Sequence, residues 1–516
     1  MRNCSGTFQF LQTSPAMLAR LKPFFSSRFF QNTLPLALMW FLAAALLAYT
    51  TLRAARLSMT HDECGSWTIW TDFPIFKCYY SADCWGTANL HWLYVLLMKL
   101  SISLFGNSEL AIRLPALLGH LVYLVFSWRL VTTWTNRPWL ALFGFILLNT
   151  NAYLLEFSSL ARGYGLAMAM LVISLYFSGR YVQTGKTWAI AGAFGGAFLA
   201  VLSNFTLLNY YACLLAVLGA LVLFRFFRKE ERRWASLLRP ASLALLITGV
   251  LAWLVYRPLG FLMERGEFEY GAGSFWETFH STVRNSTYGG RYLHTYNVEF
   301  FGGLLVLLLL WALIFSVRNF LKKPDGAREQ FLLAANLLPL TASIAAVVQH
   351  HLLGTQYQVN RTALMFIPLC ALPVFLFFAN FLEKKTNLLR AFLPAMIGIF
   401  CVVHFGRVAQ LDFTSEWGYD AQTKNMVFYL DKKIPEGTKV KLGVHWIYHP
   451  SSTYYFKTRG FEFAELPLVY SKELRKDSYY DYYYVQPSDV PDLEQAGYEV
   501  EKRFSWVGAL MRRKEQ

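Results

Sequence analysis

TLPLALMWFLAAALLAYTTLRAARLSMTHDECGSW, residues 33–67, decides how the rest of the chain is read. The run from Thr33 to Leu52 is apolar over about 20 residues, the length needed to cross a hydrocarbon core. Arg53 and Arg56 close it, and two adjacent carboxylates, Asp62 and Glu63, follow within a few residues. Charges inside hydrocarbon are costly, so acids at a membrane boundary belong to a water-filled cavity and to a task performed there.

Further apolar runs recur at about 110–130, 138–156, 161–180, 188–205, 207–227, 236–256, 299–318, 331–349, 361–380 and 388–406. Of the 516 residues, 55% are hydrophobic and only 16% charged, well below the charge content of a soluble domain. The chain reads as a polytopic α-helical membrane protein. Its net charge of +16 does not point to nucleic acid, because Lys and Arg sit in short connections between apolar runs. Residues 1–32 form a basic, aromatic-rich leader with no cleavable signal.

Five connections are basic: those holding Arg129 and Arg137, Arg180 and Lys186, Arg225 to Arg233, Arg318 to Arg328, and Lys384 to Arg390. Positive connections stay in the cytoplasm, and all five share a side only if the run 89–106 does not cross. That run is therefore expected to lie in the outer interface, with Trp92 and Tyr94 at headgroup depth. The expected architecture has about 11 transmembrane helices over 33–406 by these hydropathy and charge rules. Outer loops cover 53–109 and 257–298, and an extracytoplasmic α/β domain covers 407–516. In that tail KVKLGV (439–444), YYDYYYV (479–485), YEVEKRF (498–504) and WVGALMRR (506–513) are strand candidates, with helical stretches at 420–433 and 490–497. Its placement suggests acceptor docking or gating over the site.

This topology gathers polar groups on one rim: Asp62 and Glu63, then His91 and Glu109 flanking the interfacial helix. Arg113, then Arg162 and Tyr164, stand at the starts of later spans. Tyr357 and Arg361 precede another, and the second loop adds Arg284, Tyr288, Arg291 and His294. Arginine presents a fixed fork of donors suited to phosphate oxygens. A carboxylate beside it can act as general base on a hydroxyl. Simpler roles compete. Arginines at span ends anchor headgroups, and Glu109 is spaced to pair with Arg113 four residues on. Glu264, Glu267 and Glu269 read as a solvated stretch. No cofactor is called for. A divalent metal is left open, with His91, His294 and Glu63 as scattered candidate ligands. Cys64, Cys78 and Cys84 share the first outer loop, where two of them could form a disulfide.

HDECGSW (61–67), NLHWLYVLLMKL (89–100), FGNSELAIRLPALLGHL (105–121) and LEFSSLARGYGLAMAML (155–171) resemble the bacterial dolichyl-phosphate-mannose-protein mannosyltransferase-like enzymes. These are membrane glycosyltransferases of the GT-C class, a group that includes the aminoarabinose transferase acting on lipid A. SELAIRLPALLG and ARGYGLAM are the most specific matches. The likeness is fullest over 33–230 and returns in VNRTALMFIPL (359–369). The chain departs from the family at His91-Trp92-Leu93, where prolines are common, and at Ser203-Asn204-Phe205, where a Lys-Gly pair is common. The resemblance implies transfer of a sugar from a polyprenyl-phosphate carrier to a lipid, glycan or protein hydroxyl, with inversion, at the outer face of the plasma (inner) membrane. It implies Asp62 as catalytic base, Glu63 as its neighbour in the motif, and Arg162, Tyr164 and Arg361 as carrier-phosphate or sugar contacts. A polyprenyl-linked glycan transporter or flippase is the alternative from another class. It predicts polar residues deep in the spans and symmetry between halves; Asn149, Asn151, Ser203 and Asn204 are the main interruptions. A polysaccharide ligase is the alternative within the enzymes.

Overall fold

The computed structural model describes residues 27–71, 74, 76, 79–82, 91–228, 234–267, 270–288, 296–383, 388–465 and 480–514. Apolar sequence of spanning length becomes helix throughout, since only helices satisfy their own backbone in lipid. In chain order the helices are α1 (Leu34–Arg56), α2 (His61–Thr71), α3 (Trp92–Phe105), α4 (Glu109–Trp134), α5 (Pro138–Asn149) and α6 (Ala152–Phe157). They continue as α7 (Gly163–Thr184), α8 (Thr187–Ser203), α9 (Leu208–Arg228), α10 (Ala235–Glu264), α11 (Phe275–Ser286) and α12 (Tyr296–Lys322). Next come α13 (Ala327–Leu353), α14 (Phe366–Glu383) and α15 (Leu388–Val408).

Among the described residues, nine helices are long and apolar enough to cross a membrane. The other two of the eleven expected spans are shorter, α5 at 12 residues and α8 at 17. The run 138–156 is broken because Asn151 turns its side chain onto Leu154 N and caps a new helix, α6. At 14 residues α3 falls with α5 and α8 among the shorter apolar helices. It lies against α4, where Tyr94 Oη donates to Ile112 O and Ser101 Oγ to Ala111 O.

The basic connections converge on one end of the bundle. Arg137 donates to Glu383 O, Arg225 to Val182 O and Gln330 Oε1, and Arg228 pairs with Asp325. Arg328 pairs with Glu383, and Trp139 donates to Phe30 O, bringing the start of α1 to the same end. The other end carries α2, α11 and the tail domain.

That domain is an α/β unit, as its alternation predicts. Strands β1 (Val440–Val444), β2 (Ala464–Glu465), β3 (Tyr482–Val485), β4 (Tyr498–Phe504) and β5 (Gly508–Arg513) form one sheet in the order β2-β1-β3-β5-β4. β1 runs parallel to β2 and β3, while β5 runs antiparallel to β3 and β4. Helices α16 (Thr423–Lys433), α17 (His449–Arg459) and α18 (Val490–Gln495) pack beside it; α17 has no counterpart among the sequence expectations.

The domain is docked on the bundle through polar contacts. Met59 N donates to Tyr455 Oη, and Tyr454 Oη donates to Asn107 O. Glu109 is gripped by Lys424 at 2.8 Å and Arg459 at 2.9 Å. The expected Glu109–Arg113 pair is thus replaced. With Ser108 as N-cap, Glu109 opens α4 facing the tail, and Arg113, one turn deeper, turns to a different acid.

Candidate active site

The two neighbouring acids of α2 have opposite environments. Successive helical residues point about 100° apart, and here that angle separates interior from cleft. Glu63 is fully buried. Its carboxylate takes a two-pronged contact from Arg113, Nε to Oε1 at 2.8 Å and Nη2 to Oε2 at 2.7 Å. Thr60 N and Ala161 N also donate to it, at 2.9 and 2.5 Å. Burial pushes this carboxyl up, but the Arg113 charge and these hydrogen bonds outweigh burial and hold it below the ordinary range. Arg113 spends its remaining donors on the carbonyls of Ala54, Leu57 and Ser58. Both groups expected at the rim are therefore committed to one another beneath it.

Asp62 faces the cleft. Its side chain is 12% exposed, and Oδ2 lies 3.4 Å from Arg162 Nη2 and 4.0 Å from Arg361 Nη2. Oδ2 accepts no hydrogen bond among the described residues. Arg162, wholly buried, donates to Ser66 Oγ and to the Asp62 carbonyl, which fixes it against α2. Arg361 Nη1 donates to Glu416 Oε2 at 2.8 Å, and its guanidinium lies over the rings of Tyr270 and Trp417.

Tyr164 and His91 form the floor. Their rings meet edge to face at 4.9 Å, and Tyr164 is hydrogen-bonded to Arg361. Burial, with Arg162 and Arg361 adding to it, keeps His91 neutral by holding it well below its usual range. His91 Nε2 and Arg361 Nε are, like Asp62 Oδ2, buried without a hydrogen-bond partner among the described residues. Three unsatisfied polar atoms grouped around Tyr164 and Arg361, an acceptor, a donor and a neutral imidazole nitrogen, mark a place where a polar ligand would complete the bonding. The tight approach of α7 depends on Gly163. A Cβ there would collide with Ser203 O and lie 2.7 Å from His91 Cβ.

Tyr357 is buried, and among the described residues its ring packs on Phe275 and His350 rather than on these side chains. Its backbone pairs with Ala272 and its ring stacks on His350 at 4.4 Å. Arg284 is exposed, and Tyr288 is buried with its hydroxyl on Glu156. Arg291 and His294 lie outside the described residues, as do Cys78 and Cys84. Cys64 is buried and free, so it takes no part in the expected disulfide. No group of three or more His, Cys, Asp or Glu side chains among the described residues is arranged to hold a metal ion.

Sequence reasoning missed the tail's own contribution. The segment leaving α15 is pinned by a second buried ion pair, Arg53 with Glu156 at 2.9 Å. Arg53 also donates to Gln410 O and Phe413 O, and Glu156 accepts from Ser415 N and Oγ. This delivers Glu416, Trp417 and Asp420 to the cleft. Asp420 is buried, accepting from His61 N at 2.6 Å and Ser451 Oγ at 2.7 Å. No motif in 409–420 announces any of this.

Burial pushes Asp420 up to about 8 against those hydrogen bonds, with Asp62 and Glu63 adding to the rise. A carboxyl raised in the folded state favours docking fully below its ordinary range, and this contribution is lost as pH climbs through about 8. Asp420→Asn is expected to flatten the fall in Tm between about pH 5 and 9, leaving the variant a few degrees the more stable at the alkaline end. Parallel Tm–pH curves for the two proteins would show that Asp420 is not the group responsible.

Beside the cleft lies an apolar cavity of about 710 Å³. Leu305, Leu309, Pro339, Val374, Met396 and Phe400 line it, and Thr282 and Ser286 of α11 stand at its polar margin. From the same helix, Ser281 Oγ accepts from Asn360 N and Asn285 Nδ2 donates to Asn360 Oδ1. The cavity margin is thereby tied to the residue preceding Arg361.

No protein-family model and no curated protein matches the sequence. Solved structures do match. ArnT from Cupriavidus metallidurans bound to undecaprenyl phosphate aligns at a TM-score of 0.55 with 12% identity, over 93% of this chain and 99% of that one. The same protein in the apo state gives 0.53 and 13%, over 93% and 100%. The likeness runs through bundle and tail domain together, and the chain has the fold of that membrane protein, as the resemblance implies.

Proposed function

We propose that this chain is an inverting glycosyltransferase that moves a sugar from a polyprenyl-phosphate carrier to an acceptor hydroxyl. The observation that carries the reading is Asp62, a cleft carboxylate with an unbonded oxygen, set between Arg162 and Arg361. Asp62 takes the acceptor proton as its oxygen forms a bond to the anomeric carbon. The bond from that carbon to the phosphate oxygen breaks, and the electron pair leaves with the carrier phosphate. The arginine forks stabilise the departing charge, the larger contribution to rate.

Inversion follows from a single displacement. Forming and resolving a covalent sugar intermediate requires a second carboxylate free to attack, and Glu63 and Glu416 are both hydrogen-bonded on each oxygen. The 710 Å³ cavity is suited to part of the carrier's chain. It supports the reading that the similar ArnT structure has undecaprenyl phosphate bound. With the basic connections cytoplasmic, the site opens on the outer face of the plasma (inner) membrane. The acceptor is a lipid, glycan or protein hydroxyl.

The test uses the full chain in lipid nanodiscs with a panel of pentoses and hexoses linked to undecaprenyl phosphate and an extract of envelope lipids, glycans and proteins supplying acceptor hydroxyls. Release of undecaprenyl phosphate with inversion of the anomeric centre, read by NMR, is the expected result. Retention of configuration would overturn the mechanism, and no release from any donor would overturn the function.

A further inference from the structure

Arg361 stands between two carboxylates and is bonded to only one. Nη1 meets Glu416 Oε2 at 2.8 Å, whereas Nη2 stops 4.0 Å from Asp62 Oδ2. Opposite charges so close would be expected to close into a bonded pair unless something holds them apart. The restraint is visible on the Glu416 side. Tyr153, itself buried, donates its hydroxyl to Glu416 Oε1 at 2.5 Å, so both carboxylate oxygens are held. The Tyr270 and Trp417 rings flank the guanidinium at 5.2 and 5.3 Å and limit its swing.

We propose that Glu416 is a positioning residue that holds Arg361 off Asp62, leaving Asp62 Oδ2 without an Arg361 hydrogen bond and able to accept one from an acceptor hydroxyl. The inference rests on the transfer reading above and adds the tail segment to the working site. Asp62 already lies 3.4 Å from Arg162, and a direct hydrogen bond from a second guanidinium would favour its ionised form further and weaken it as a base. Without Glu416, Arg361 closes on Asp62 and disables it.

The test is Glu416→Ala in the full chain in nanodiscs. Cryo-EM should find Arg361 Nη2 moved from 4.0 Å to hydrogen-bonding distance of Asp62 Oδ2. Donor turnover should fall about 100-fold, and the acid limb of its pH profile should move to lower pH, which a merely structural loss would not do. Glu416→Gln keeps an acceptor for Nη1 and should recover most of the activity. If Glu416→Ala does not fold, Tyr153→Phe releases one anchor and should move the acid limb in the same direction by less. An Arg361 that stays 4.0 Å from Asp62, with the acid limb unmoved, overturns the inference. Transfer retained by Asp62→Asn would instead overturn the underlying reading, and the Arg361 position is measured whether or not any donor turns over.

Discussion

Asp62→Asn is expected to lower transfer by about 10²–10⁴-fold or more, the range removed with a general base, while the protein stays folded and membrane-inserted. The amide keeps the side chain's size and can still lie beside Arg162, but it cannot accept the acceptor's proton. Stability should change less than on breaking the Glu63–Arg113 pair, because the nearest charge contact of Asp62, at 3.4 Å, is long for a hydrogen bond and Arg162 keeps its bonds to Ser66 and the Asp62 carbonyl. Removing a negative charge beside two arginines should also strengthen binding of undecaprenyl phosphate. The expected signature is therefore a collapsed kcat with unchanged or lower KM for the donor. That split distinguishes a lost base from a damaged binding site. A variant turning over within about ten-fold of the native protein would remove Asp62 from the proton transfer.

Much of the architecture is legible because lipid makes strong demands on sequence. Length and hydropathy place the long helices, and the charge of the connections assigns their ends. Length does not separate α3 from the short helices α5 and α8; the charge of the connections alone carries the expectation that it does not cross. The strands of the tail follow from alternation, with YEVEKRF forming β4 over Tyr498–Phe504 as expected. Pairings across the fold are less legible. The spacing of Glu109 and Arg113 satisfies a local helical rule, yet Glu109 bonds residues some 300 positions away, and no local rule carries such a preference.

The candidate site divides along the same line. Residues embedded in patterned segments, Asp62, Arg162, Tyr164 and Arg361, were identifiable by type and by place on the rim. Glu416 was not, because it sits in an irregular connection whose path is set by Arg53 and Glu156 beneath it. A positively charged span end, Arg53, and an acid closing the run 138–156, Glu156, were the available signal. Two buried charges imply a pair, and that pair fixes where the tail begins.

Glu63→Ala should cost about 3–5 kcal/mol of stability, the usual consequence of stripping one partner from a buried ion pair. The loss has identifiable parts. Arg113 would keep a full charge at a site with no solvent exposure, retaining only the three carbonyls of Ala54, Leu57 and Ser58. The N–H groups of Thr60 and Ala161 would lose their acceptor. Ala161 precedes Arg162, so the turn into α7 would loosen and carry the site arginine with it. Low extraction yield and a Tm lowered by many degrees should accompany any loss of transfer. Arg113→Ala should mirror this phenotype. The paired change Glu63→Met with Arg113→Met should be less harmful than either single alanine, because no unpaired charge is left inside. A Glu63→Ala protein with native Tm and no transfer would give this acid a part in the chemistry. Set against the stable but inactive Asp62→Asn protein, the expected result separates two adjacent carboxylates that differ by one helical step.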